Sequence, residues 1–283
     1  MTSQLVIDTH HHLWTADYPW LASDPKLAPI RRDYDVDDLR ANMEAAGIDR
    51  TVLVEAARCH PSETVEFLHL AGSVREIAGV VGFVDLTSPF LDATIGGYLD
   101  HPHARYLVGL RDQVQGRTDP DFLARPDVIA ALDRVSQSVR AFDLVVRPDQ
   151  LRAAARAAAA VPDLTFVLDH LGKPQVRDGD AGLKAWRELV TPLAKRPNVT
   201  AKLSGLVTEA DWERWEPANL RPFVDAALEL FGPDRLMFGS DWPVCELAAT
   251  YTQVKDALTE VLGSEDLGIF SRNAINTYHL GAS

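Results

Sequence analysis

Three histidines arrive together at the end of an apolar run, Leu5-Val6-Ile7-Asp8-Thr9-His10-His11-His12. In an extended strand alternate side chains share a face, so Val6, Asp8, His10 and His12 would lie on one side and Ile7, Thr9 and His11 on the other. Two imidazoles two positions apart then point the same way, close enough to hold one metal ion or to address one substrate oxygen. The same spacing also suits a pair of hydrogen-bonded histidines at a strand end. A carboxylate with space around it stands in Gly239-Ser240-Asp241-Trp242-Pro243. Gly239 leaves room and Trp242-Pro243 would wall off water, so Asp241 could take a proton from an attacking water and pass it to a leaving oxygen. Its bland alternative is the N-cap of a short helix. His170, in Leu168-Asp169-His170-Leu171-Gly172-Lys173-Pro174, follows another apolar run and is placed to add a third imidazole.

Residues so far apart in sequence meet only on a scaffold that gathers many strand ends. A chain of 283 residues suits a single (β/α) barrel, which takes about 250. One unit recurs: a short apolar or β-branched run, a polar or Gly/Pro break, then an amphipathic helical pattern. With the first run, the others fall at 51–54, 77–84, 106–110, 142–146, 164–168, 199–203 and 235–238, eight in all. Near-continuous apolar runs alternating with helices read as a parallel sheet covered on both faces. Eight of them favour closure, and no Gly-X-Gly-X-X-Gly follows a strand to suggest a dinucleotide fold. The expected fold is α/β, a distorted (β/α)8 barrel in one domain over residues 1–283, with an extra helix at 265–278. The weakest helical pattern is 89–99, interrupted by Gly96-Gly97. The stretch 14–33, rich in Trp, Tyr and Pro, reads as a packed functional loop.

A parallel barrel carries its chemistry at the C-terminal ends of its strands. There the sequence offers Glu55, Arg111-Asp112-Gln113, Arg147, Asp169-His170, Lys202-Leu203-Ser204 and Asp241, beside His10 and His12. Arg111 is the expected anchor for a substrate hydroxyl or anion, although Arg111 or Arg147 could pair with Asp112 or Asp143. Glu55 could ligate a metal, bond a hydroxyl or pair with Arg58. Lys202 could bind substrate or pair with a nearby acid. His11, His60, His69, His101, His103 and His279 read as surface or packing residues.

A net charge of −13 argues against nucleic acid and anionic membranes, which need basic patches. No run approaches the roughly 20 apolar residues of a membrane span. Residues 1–4 lead straight into the first strand and leave no room for a signal peptide. Two cysteines, Cys59 and Cys245, form no framework and read as reduced thiols of a cytoplasmic protein.

Five stretches in order, Ile7-Asp8-Thr9-His10-His11-His12-Leu13-Trp14, Val108-Gly109-Leu110-Arg111, Leu168 to Pro174, Lys202-Leu203-Ser204-Gly205-Leu206 and Phe238 to Pro243, resemble the amidohydrolase superfamily. More narrowly they are similar to its sugar-lactonase branch, whose members open L-fucono-, L-rhamnono- and, more distantly, pyrone-dicarboxylate lactones. The resemblance implies hydrolysis of a sugar lactone, with His10, His12 and His170 around the carbonyl oxygen and Asp241 activating water. It implies one divalent ion, zinc or manganese, on His10, His12, His170 and Asp241, or a metal that is dispensable. No organic cofactor is expected. A two-metal site is disfavoured because no histidine lies between His103 and His170 and the fifth strand ends in Arg147. Arg111, Glu55, Trp14, Trp20, Lys202 and Trp242 would orient the sugar, and a homo-oligomer is left open. The competing readings are a metal-dependent amidohydrolase or aromatic-acid decarboxylase on the same barrel, and a carbohydrate-binding barrel without catalysis.

Overall fold

The computed structural model describes residues 5–281. Eight parallel strands follow one another around the sheet in chain order: β1 (Ile7–His11), β2 (Arg50–Val54), β3 (Ile77–Phe83), β4 (Leu107–Asp112), β5 (Ala141–Leu144), β6 (Thr165–Leu168), β7 (Val199–Leu203) and β8 (Leu236–Phe238). Helices alternate with them: α1 (Val36–Ala46), α2 (Pro61–Ala71), α3 (Leu91–Leu99), α4 (Pro126–Ser136), α5 (Leu151–Ala160), α6 (Gly179–Ala194), α7 (Pro217–Phe231) and α8 (Tyr251–Leu262). The ring closes irregularly, beyond the end of β8. There the Asp241 amide donates to His10 O (2.8 Å) and the His12 amide to Trp242 O (2.8 Å). Every sequence-predicted strand is present, and the fold is the distorted (β/α)8 barrel.

Local chemistry sets the helix ends. Asp35 caps α1 in a reciprocal box with Asp38, and Gly47 ends it in the left-handed region that glycine enters at least cost. Thr250 and Gln253 box the start of α8. The α3 helix forms in spite of Gly96-Gly97 because Leu91, Ile95 and Tyr98 are buried and the Tyr98 hydroxyl donates to Phe83 O (2.8 Å). The expected helix at 265–278 starts instead with a wide turn (Gly268–Arg272), after which α9 (Asn273–Tyr278) follows.

Two cores result. The larger lies between strands and helices. The smaller fills the barrel: Ile7, Val52, Val81, Ala141, Val167 and Met237 meet Tyr278 and Leu280 from the α9 end of the chain. No helix among the described residues is long and apolar enough to cross a membrane, and both cysteines are free.

Candidate active site

The first strand corrects one expectation. Asp8 does not share a face with His10 and His12, because the register slips between Asp8 and His11. Ile7 belongs to the barrel interior, whereas Asp8 accepts from the Tyr251 hydroxyl of α8 (2.7 Å), the Ser240 hydroxyl (2.6 Å) and the Ser240 amide (2.8 Å). That clamp fixes the Gly239-Ser240-Asp241 turn beside β1. Asp241 itself has φ 58°, in a region where a residue with a Cβ is uncommon.

The outcome is a cluster. Oδ1 of Asp241 lies 3.7 Å from Nε2 of His10, 3.7 Å from Nε2 of His12 and 3.7 Å from Nε2 of His170. The Nε2 atoms of His10 and His12 are 3.2 Å apart. Each ring is held from behind. His12 Nδ1 faces Val54 O at 2.9 Å, a carbonyl that can only accept, so Nδ1 carries the hydrogen and Nε2 offers a lone pair. His10 Nδ1 faces Asp169 Oδ1 at 3.1 Å, and His170 Nδ1 faces Ser204 Oγ at 2.9 Å. Burial pushes His10 well below the usual imidazole range and His170 down to about 4. Burial alone would raise Asp241, but His170, His12 and Lys173 outweigh it and hold the carboxyl below its usual value. The resting site thus holds an ionised Asp241 carboxylate beside neutral His10 and His170 imidazoles.

His10, His12 and Asp241 can hold a single metal ion. The two Nε2 atoms, 3.2 Å apart, can share one proton or one cation between them. The spacings of 3.2 and 3.7 Å bracket the roughly 3.4 Å edge of a tetrahedron with zinc-like bonds of about 2.1 Å. The carboxylate and carbonyl behind the two rings are the second shell that metal-bound histidines use. The donor set fits a divalent ion.

A cavity of about 490 Å³ opens over this cluster, walled by His12, Trp14, Trp20, Gln113, Lys173 and Asp241 among others. The loop 14–33 is packed, as its aromatics require: Trp20 Nε1 donates to Ala56 O (2.8 Å) and the Tyr18 hydroxyl to Glu63 (2.8 Å). Arg111 reaches the wall, but its donors are spoken for by Glu55 Oε1 (2.6 Å), Glu55 O (2.6 Å) and Asp169 Oδ2 (2.9 Å). Its partner is therefore not Asp112, which binds Arg117, and Glu55 does not pair with Arg58, which binds Glu66. Arg147 pairs with Asp149 rather than Asp143. Lys202 and Trp242 have no exposed surface. Lys202 sits beneath His10 between two carboxylates, and Trp242 donates to Glu246 Oε1 (2.8 Å). Either would reach a substrate only through its neighbours. His11 is buried with neither ring nitrogen bonded among the described residues.

Three residues at or under the site were named from sequence but given no role in it. Asp169 ties His10, Arg111 and Lys202 together, Asp143 holds Lys202, and Ser204 orients His170. A polar residue inside an apolar strand, as in Ala141-Phe142-Asp143-Leu144, marks Asp143 as needing a buried cation, which proves to be Lys202 rather than an arginine.

A closed (β/α)8 barrel with His-X-His on its first strand, a histidine after its sixth and an aspartate after its eighth defines an amidohydrolase-type enzyme. The model of the amidohydrolase family matches residues 7–280, and the chain belongs to that family. It is 37% identical over 282 residues to an L-fucono-1,5-lactonase of Burkholderia multivorans, covering 96% of this chain and 93% of that protein. An L-fucono-1,5-lactonase of Burkholderia ambifaria is 35% identical over 248 residues, 87% of this chain and 82% of the relative. Among solved structures, an amidohydrolase from Burkholderia multivorans with bound zinc superposes with a TM-score of 0.90 at 34% identity, covering 98% of this chain and 100% of that one.

Proposed function

We propose that this chain hydrolyses a sugar lactone to the open sugar acid, with Asp241 as the base that activates water. The observation that carries the reading is the convergence of three imidazole Nε2 atoms at 3.7 Å on one Asp241 oxygen at the floor of the cavity. The two fucono-lactonase relatives support it.

The water oxygen bonds to the lactone carbonyl carbon as its proton passes to Asp241. The ring C–O bond then breaks, and the proton returns from Asp241 to the departing ring oxygen. The new carboxylic acid loses its proton to solvent. His170 is suited to donate to the carbonyl oxygen as it gains charge: with the Ser204 hydroxyl turned toward Nδ1, its Nε2 carries the hydrogen. Such a donor is worth about 3–4 kcal/mol. A divalent ion, zinc or manganese, held by His10, His12 and Asp241 would supply further polarisation of the carbonyl. Trp14 and Trp20 offer flat apolar walls for the ring face, while Glu55, Arg111, Lys202 and Trp242 serve from behind the wall or as part of it. Two free thiols, one of them exposed, support a reducing compartment such as the cytoplasm.

A pH-indicator screen of aldonolactones, run with and without chelator and alongside metal analysis, tests this directly. Acid release from at least one lactone is expected. Turnover of amides or aromatic acids with no lactone opened would replace the reading.

A further inference from the structure

The segment after β6 winds the unusual way. His170 (φ 54°, ψ 34°), Leu171 (φ 53°, ψ 20°), Gly172 (φ 72°) and Lys173 (φ 58°, ψ 61°) are four consecutive residues in the left-handed region, which residues with a Cβ otherwise visit singly. The turn is held in place: Trp186 Nε1 donates to Leu171 O (2.7 Å), the Lys173 amide donates to His170 O (2.9 Å), and a Cβ on Gly172 would lie 2.7 Å from Leu151. It delivers His170 and Lys173 to the wall of one cavity. Glycine would take the Lys173 backbone at least cost, yet a lysine stands there. Strain kept at a cavity wall points to a task for the side chain.

Its electrostatic position is distinctive as well. Arg111, Arg117 and Arg147 near the mouth are each bound to carboxylates. Among the described residues the Lys173 ammonium has neither a hydrogen bond nor an ion pair. It is close enough to Asp241 and Glu209 to favour their ionised forms. A neutral lactone becomes an anion beside Asp241 when it opens, and two carboxylates in one cavity repel unless a cation stands with them.

We propose that Lys173 is the carboxylate anchor of the cavity, binding the acid group of the opened sugar acid through its unpartnered ammonium. The assignment of that acid rests on the lactonase reading; the anion site itself needs no turnover.

Calorimetric titration with L-fuconate, and with L-fucitol as its uncharged counterpart, tests the anchor. The wild-type chain is expected to bind L-fuconate, Lys173→Met to bind it about tenfold or more weakly, and Lys173→Arg to keep most of the affinity, with L-fucitol affinity unchanged throughout. Lys173→Gly should melt no earlier than wild type while losing the anion. No L-fuconate binding by wild type, binding by Lys173→Met within about twofold of wild type, or equal losses of both ligands would overturn the proposal. Failure of every lactone to turn over would sink the lactonase reading and leave this comparison standing.

Discussion

The ammonium of Lys202 lies 3.1 Å from Nδ1 of His10, at the centre of a closed ion network under the cavity. Asp143 Oδ2 is 2.6 Å from Lys202 and Asp169 Oδ1 is 3.0 Å away, while Arg111 joins Asp169 to Glu55. The Tyr278 hydroxyl of α9 donates to Asp143 (2.7 Å), so the tail of the chain is tied through Lys202 to His10 of β1. Two cations face three carboxyls, and burial pushes Asp143 up to about 6. Replacing Lys202 by Met leaves Asp143 and Asp169 facing each other in a sealed interior, a loss of about 3–5 kcal/mol. A lower urea midpoint and a reduced kcat are expected together. An unchanged midpoint would show that the network does not bear on stability.

Gly205 has φ +64°, and a Cβ there would stand 2.7 Å from His170 Nδ1. Alanine must therefore strain its own backbone or push the ring off Ser204, at about 1–3 kcal/mol for the crowding. His10 and His12 keep Asp169 and Val54 behind their rings, and the Asp241 amide keeps His10 O. Gly205→Ala should lose turnover while metal content, measured by plasma emission, stays at the wild-type level. Wild-type kcat in this variant and in His170→Ala would remove His170 from the reaction.

Glu63 of α2 accepts from the Tyr18 hydroxyl and the Ala56 amide through one oxygen, and the other has no partner among the described residues. Burial, with the charge of Glu55, pushes it up from 4.5 to about 7. In the unfolded chain it ionises first, so the unfolded state binds fewer protons between those values. Stability then falls as pH rises from 4.5 through 7, by about 3 kcal/mol in all, and no further above. Glu63→Gln removes that slope. The stability difference, wild type minus variant, should shrink by this amount between acid and neutral pH in urea titrations. A difference that stays constant with pH would show the carboxyl to be ordinary.

Much of the barrel was legible because parallel strands buried on both faces leave apolar runs of a recognisable length, and the caps at Asp35 and Gly47 are local chemistry. His10 and His12 were legible for a local reason too, their spacing. What the sequence could not carry was the choice of partners across the closed ring. Asp8 leaves the face of His10 because it is claimed by Ser240 and Tyr251, more than two hundred positions away. Arg111 finds Glu55 and Asp169 rather than its neighbour Asp112 for a similar reason: the partner is chosen by the barrel interior and not by proximity in the chain. The left-handed turn at His170 left only Gly172 as a local sign.

Asp241 carries the sharpest prediction. Its Oδ1 is the one oxygen that all three Nε2 atoms approach, and its carboxyl is held below the usual range despite burial. His170 takes its proton only near 4. Asp241 therefore stays ionised and His170 neutral well to the acid side of neutrality. The kcat/KM profile should fall on that side near 4 rather than near the 6.5 of a free imidazole. Asparagine at position 241 matches the carboxylate in shape but cannot take the water proton. Asp241→Asn should lower kcat by about 10²–10⁴-fold while lactone binding, followed by calorimetry on the inactive protein, persists. If the variant turns over at nearly the wild-type rate, the proton goes elsewhere and the convergence of imidazoles on this oxygen serves structure alone.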